Sequence, residues 1–225
     1  LLSPDGSVET SFLYEERDNL YWPVGNHMVM PARTYKLHVD IPRSSEPLTA
    51  TTIVPGDFEI LEAAPDSVLY QDDVQFEVNV TESAYPGRQA VYVFSVESLD
   101  PTADNLTPFY REVINPDENP EDIEDVIVNE SFVINEANFE IHPDGTYSIK
   151  LPWLAVAFYG PNDIVVNTLD DNMFDFVRSH TVQQGGSTFS PGEIPNVIDQ
   201  VQGGTGVFGS ITRRTAEVFI KDREL

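Results

Sequence analysis

The amino-acid sequence predicts an all-β protein, an antiparallel β-sandwich with immunoglobulin-like or transthyretin-like layers and one short helix near 170–180. Three observations lead there. Apolar and polar residues alternate in short runs along most of the chain, the two-residue period of half-buried strands. Turn chemistry separates the runs, as in "AYPGR" and "HPDGT". A single stretch carries convincing helical spacing, and layered sheets are the economical way to bury so many strands.

In chain order, "RTYKLHVDI" sets Tyr35, Leu37, Val39 and Ile41 on one face and Lys36, His38 and Asp40 on the other. "LTATTIVP" is a second β-branched run, closed by Pro55. "VQFEVNVT" points Val74, Phe76, Val78 and Val80 inward, and after the Pro-Gly turn of "SAYPGR" the run "QAVYVFSVES" is expected to return as its hairpin partner. Residues Leu99 to Val126 form a proline-rich, acidic excursion with one helical turn around Phe109 to Val113. Strands resume in "NESFVINEANFEI", and "HPDGTYSIKLP" turns into "TYSIKL". "WLAVAFYG" and "DIVVNTL" are apolar enough for buried strands. The helix is "LDDNMFDFVRSHTVQQ": Asp170 or Asp171 caps it, Met173, Phe174 and Val177 share a face, and Arg178 and His180 stand near its negative end.

The expected domain plan places the C-terminal part of a small β-sandwich at 1–55. A larger β-sandwich follows at 56–225, with the acidic excursion at 99–130. The sequence opens at Leu1 inside what reads as a hairpin, which suggests a fragment or processed form. No repeat at solenoid spacing is present.

The 225 residues hold 38 acids against 12 bases, a formal net charge of −26, and Lys36, Lys150 and Lys221 are the only lysines. Such a surface repels phosphate backbones and anionic headgroups, which argues against nucleic acid and against direct docking on a membrane. Solubility in a saline medium explains the acidity, and divalent-cation binding is the sharper alternative. Cysteine is absent, so these residues offer no disulfide, thiolate nucleophile or zinc–thiolate site.

Candidate sites are few. "NPDENPEDIED" gathers carboxylates, and Asp117, Glu118, Glu121, Asp122 and Asp125 are its calcium candidates, because calcium takes six to eight oxygens in flexible geometry. The EF-hand spacing and glycine are missing, and a solvated acidic loop is the plain alternative. The acids of "TLDDN" are explained by capping alone. His27, His38, His142 and His180 form no pair at metal-ligand spacing, and no G-x-S-x-G nucleophile motif occurs. Carboxylate pairs for glycosidic chemistry cannot be told apart among so many acids. The aromatic-rich stretches "FLYEERDNLYWP" and "LPWLAVAFYG" nominate Tyr21, Trp22, Trp153, Phe158 and Tyr159 as an interaction surface, with core filling between sheets as the alternative. No catalytic residue is expected and no cofactor beyond the calcium candidate.

"GGTGVFGS", from Gly203 to Ser210, contains G-x-G-x-x-G starting at Gly204. A dinucleotide fingerprint needs a strand before it, a helix after it and an acid about 20 residues on. Here loop-like "SPGEIPNVIDQVQ" precedes and strand-like "SITRRTAEVFI" follows. The glycines instead suit a backbone device, allowing positive φ and close approach of two chains, with Phe208 as an apolar plug; a docking loop is the alternative.

The order of these features, ending in "NVIDQVQGGTGVFGS", resembles a family of Bacteroidota cell-envelope proteins classed as a domain of unknown function, family 4249. That family ends in Asn, a short gap, then Gly-Gly-x-Gly-Val/Ile-Phe-Gly, a pattern filled by Asn196, Gly203, Gly204, Gly206, Val207, Phe208 and Gly209. The lipid-bearing Cys and the first part of the N-terminal domain are not in this sequence, so the resemblance is to an N-terminally truncated member. It implies a surface-exposed, outer-membrane-associated lipoprotein that binds rather than catalyses, accessory to a TonB-dependent-type transporter. The implied partners are an outer-membrane receptor or another envelope protein, with membrane contact only through the absent N-terminal lipid anchor. The alternative is a structural subunit of an extracellular filament or surface assembly that pairs strands between copies; a carbohydrate-active enzyme is a third reading. In that setting Asp66-Ser67-Val68 is a candidate O-glycosylation site at Ser67. Asn79-Val80-Thr81 and Asn129-Glu130-Ser131 are N-glycosylation sequons.

Overall fold

The computed structural model describes residues 1–63, 67–72, 76–183 and 200–223. Its first strands are β1 Phe12–Glu15, β2 Leu20–Pro23, β3 Thr34–Val39, β4 Leu48–Ile53, β5 Ile60–Ala63, β6 Ser67–Leu69 and β7 Glu77–Val80. After β8 Val91–Ser98 comes helix α1 Pro108–Ile114, then β9 Val128–Glu130, β10 Ile134–Asn135, β11 Glu140–Ile141 and β12 Tyr147–Lys150. β13 Gly160–Leu169, helix α2 Asp171–Gln183 and β14 Ile211–Lys221 complete the order. Apart from the parallel pairing of β14 with β6, the recorded strand pairs are antiparallel. The protein is all-β, with α2 where the capped helical run predicts it and α1 at the predicted turn near Phe109.

The chain forms two compact units, both discontinuous in sequence. One comprises Leu1–Asp57, Ala84–Pro86 and Leu169–Thr212; the other comprises Phe58–Ser83, Gly87–Thr168 and Arg213–Leu225. A division at residue 55 would leave 169–212 with the larger domain, whereas this segment groups with the unit that starts at Leu1.

The second unit is the sandwich. One sheet runs β10-β8-β13-β14-β6, with β9 also on β8, and the other runs β11-β12-β7-β5. Their inner faces share one core, where Val78 and Val80 of β7 and Ile149 of β12 meet Tyr92, Phe94, Val96, Ile164, Val166, Val218 and Ile220. Phe76, Val78 and Val80 are buried as the alternation predicts; Val74 lies outside the described residues.

Two strand predictions are corrected here. β7 and β8 are not hairpin partners: β7 pairs β5 and β12, while β8 pairs β9, β10 and β13. The Pro-Gly turn exists, with Gly87 at φ +78, but residues 81–90 carry the chain from one sheet to the other. Alternation fixes which face is apolar; it does not say whether the next run lies beside it or opposite it. Nor is "WLAVAFYG" a strand, since Trp153–Ala155 is a 3-10 turn. Its backbone is satisfied by residues 105–107: Thr107 Oγ1 donates to Val156 O, Thr107 N to Ala157 O and Tyr159 N to Asn105 O.

The first unit contains the antiparallel pairs β1–β2 and β3–β4, helix α2 and the glycine segment. Tyr35 is its buried anchor; its hydroxyl accepts from Met30 N, and Arg33 stands over its ring. The predicted inward face of β3 is covered only at that end, and Val39 and Ile41 are exposed, because a two-stranded sheet has little to bury them under.

Candidate functional site

Asp170 is the most heavily constrained acid of the first unit. It is 1% exposed and sits at the N-cap of α2, where Oδ1 accepts from Met173 N at 2.8 Å and its carbonyl accepts from Phe174 N. Thr52 Oγ1 of β4 donates to Oδ2 at 2.5 Å and lies 2.5 Å from Ser210 Oγ. With the carboxylate ionised, Thr52 spends its proton on Asp170 and Ser210 donates to Thr52. Burial pushes the Asp170 carboxyl above its ordinary value, opposed by the hydrogen bonds from Thr52, Met173 N and the Ser210 backbone. Next to it, Asn172 Nδ2 donates to both Thr51 O and Phe208 O at 2.7 Å. One cap thus ties β4, α2 and the glycine segment into a knot.

The glycines are where backbones meet neighbours. Gly203 holds φ +81, and a Cβ there would lie 3.1 Å from Pro47 O. At Gly204 it would lie 2.7 Å from a Leu48 methyl. At Gly209 it would come within 2.3 Å of Met173 Cγ and 3.1 Å of an Asp170 carboxylate oxygen. Gly206 is at φ +144, and Phe208 is half-buried with its carbonyl on Asn172. No helix follows the glycines; β14 does, so no dinucleotide cradle forms. Gly209→Ala is expected to lower stability by about 1–3 kcal/mol through overpacking against Met173, measured as the urea midpoint; an unchanged midpoint would show that Met173 moves aside freely.

The nominated aromatics separate into two groups. Tyr21 (68% exposed) and Trp22 (52%) lie on β2, and every residue of β1 and β2 is exposed. Leu13, Tyr14 and Leu20 belong to the same bare hairpin, with Tyr14 and Tyr21 rings 5.2 Å apart. Exposure on both faces is unusual for a sheet carrying Leu, Tyr and Trp. In the second unit, Phe158 is 1% exposed and fills a core cluster with Leu106, Ile114 and Ala157. Trp153 stacks on Phe76, and Trp153 and Tyr159 both pack edge-on to Tyr70. These three side chains serve the core, and Phe158 offers no face to a partner.

A cleft of about 420 Å³ opens in the second unit, within the usual range of ligand sites. Buried Phe94, Val96, Ile149 and Leu151 line it, and Phe132 (82% exposed) and Leu154 (55%) stand with it as bare apolar residues. A β-bulge presents Phe132. Glu130 opposes Ser95 and Ile134 opposes Tyr92, so the pairing slips by one residue between them. Ser131 Oγ accepts from Phe94 N at 2.9 Å in place of a ladder carbonyl, and the chain swells outward at Phe132. An adjoining recess of about 350 Å³ shares Ile134, Ile149 and Lys150 with the cleft and reaches Phe139 and Glu140.

With this geometry in hand, one comparison is decisive: the family model described as Domain of unknown function (DUF4249) matches residues 3–217. The chain belongs to the DUF4249 family. No curated protein and no solved structure matches it.

In this DUF4249 chain the calcium candidates Asp117, Glu118, Glu121, Asp122 and Asp125 are all exposed, on a turn and the 3-10 helix Pro120–Val126. Among the described residues, no three His, Cys, Asp or Glu side chains converge as metal ligands. Ser67 is half-buried on β6, opposite Phe219, and Asp66 before it lies outside the described residues, as does Asn196. Of the sequon residues, Asn79 lies in β7 and Asn129 Nδ2 donates to Ala155 O. No helix among the described residues is long and apolar enough to cross a membrane. Sequence reasoning missed the cleft. The hint it had was Ser131 within "ESFVIN", a hydroxyl able to replace a carbonyl and break the strand's register.

Proposed function

We propose that this DUF4249 chain is a non-enzymatic interaction module of the bacterial cell envelope that docks on a partner protein through the β1–β2 hairpin. The observation that carries the reading is the hairpin itself, whose eight strand residues are all exposed although they include Leu13, Tyr14, Leu20, Tyr21 and Trp22. Tyr and Trp are the residues that most often dominate binding energy at protein interfaces. Among the described residues each strand also keeps one unpaired edge, the surface used in strand addition. The family resemblance supports an outer-membrane setting in Bacteroidota, with a lipid anchor upstream and a TonB-dependent-type transporter as the partner. The net charge of −26 favours a partner with a basic face over a second copy of this chain.

The test is gentle detergent extraction of the native protein, with mass spectrometry of what remains bound, for wild type and a Tyr21→Ser, Trp22→Ser variant. An outer-membrane receptor at equal stoichiometry with wild type, reduced at least tenfold with the variant, is the expected result. The urea midpoint of the variant should be unchanged, since neither side chain is buried. Equal recovery with both proteins would refute docking through the hairpin. Recovery of copies of the chain alone would replace this reading with a surface assembly.

A further inference from the structure

We propose that the cleft of the second unit is a seat for an extended peptide, in which apolar residues alternate with basic ones and the peptide backbone adds to the free edge of β12. This reading is independent of the hairpin. β12 is paired on its inner side with β7 over Tyr147–Lys150, and Leu151 N donates to Phe76 O. Hydrogen-bonding direction alternates along an antiparallel strand, so the N–H and C=O of Lys150 point away from β7. On the outer side β11 covers only Tyr147 and Ser148, because the chain before Glu140 turns away as the 3-10 helix Glu136–Asn138. Beyond Ser148 the edge of β12 is therefore open among the described residues, beside the cleft and its adjoining recess.

Both hollows share Ile149 and Lys150, so they stand next to each other along β12. An added strand sends every second side chain to the same face, at a spacing of about 7 Å. The cleft takes one such side chain against Phe94, Ile149 and Leu151, and the recess takes its neighbour against Ile134 and Phe139. Pockets for alternate side chains beside an open strand edge are how strand addition acquires specificity.

Charge selects the residues between. Glu130 lines the cleft and Glu140 the recess. Lys150, the cation shared by both, is already paired with Glu140 at 3.5 Å. The local balance is negative on a chain of net −26, so basic residues are drawn in and acidic ones repelled.

The experiment is fluorescence anisotropy of labelled seven-residue peptides against the full chain. A Val/Lys alternating peptide should bind at least tenfold tighter than its Val/Glu and Ser/Lys counterparts. N-methylation of its central residues should weaken binding at least tenfold, because the edge hydrogen bonds are lost. Phe132→Asp and Leu154→Asp, both at exposed positions, should each weaken it severalfold without moving the urea midpoint, and the Tyr21→Ser, Trp22→Ser variant should bind as wild type does. Equal binding of the Ser/Lys peptide would mean attraction by net charge alone and would overturn the proposal. Indifference to N-methylation or to the cleft substitutions would overturn it too, as would binding of a fluorescent fatty acid with no peptide bound.

Discussion

Gly56→Ala is expected to cost about 2–3 kcal/mol, the upper part of the range for overpacking a filled site. A Cβ at Gly56 would lie 2.7 Å from Ala84 O and 2.9 Å from Ala84 N. Both are backbone atoms, so no rotamer change relieves the clash. Nor is the segment free to retreat: Gly56 N donates to Ala84 O, and Pro55 O accepts from Ala32 N and from Thr212 Oγ1. The measurement is urea unfolding, where the midpoint should fall with little change in slope. A midpoint within experimental error of wild type would mean that residues 84–86 do not pack on Gly56.

Asp170→Ala is expected to cost about 3 kcal/mol. The variant loses a helix cap and leaves Met173 N and Thr52 Oγ1 without their acceptor in a buried position. Asp170→Asn should retain most of the stability, since its amide oxygen can keep the cap and its NH₂ can donate to Thr52. The pair also separates in pH. Because burial raises the Asp170 carboxyl above its ordinary 3.8, folding takes up a proton between the unfolded and folded values. Stability from this group is fully present below the unfolded pKa and is lost as pH rises through the raised one. Asp170→Asn has no such loss. The advantage of wild type over Asp170→Asn, followed by urea midpoints, should therefore shrink as pH rises from about 4 through the raised pKa. A difference that stays flat across that window would show that the carboxyl is not shifted.

Much of the fold was legible because strands and caps are local. Phe76, Val78 and Val80 announce a buried face by alternation, and Asp170 before Met173 and Phe174 announces a helix start; both follow from chain geometry within a few residues. The partner of a strand is not local. β7 and β8 follow one another and each has its apolar face, yet they belong to opposite sheets, a choice made by β5, β12 and β13. The same limit divided the aromatics: Trp22 and Phe158 look alike in sequence, and only the presence of Leu106, Ile114 and Ala157 around Phe158 separates core from surface. The bulge at Phe132 rests on one hydroxyl taking one amide, which no periodicity records. At the glycine segment the residues revealed that backbones come close, while Leu48 and Met173 as the neighbours required coordinates.

The broken sequence of the first unit has a consequence for how the protein is made. Residues 1–57 are synthesised before the sandwich, but the segment that groups with them, 169–212, follows only after most of the sandwich has been made. At roughly 5–20 residues per second, the early segment waits on the order of 10 s. During that interval β4 lacks the partners of its Thr49, Thr51 and Thr52, which are Gln202, Asn172 and Asp170. The sandwich, although it starts later, can assemble most of its core before its last strand, β14, arrives. Both units thus wait for the last quarter of this sequence, the first for 169–212 and the sandwich for β14, and until then residues 1–57 are open to a factor that binds unfolded chains.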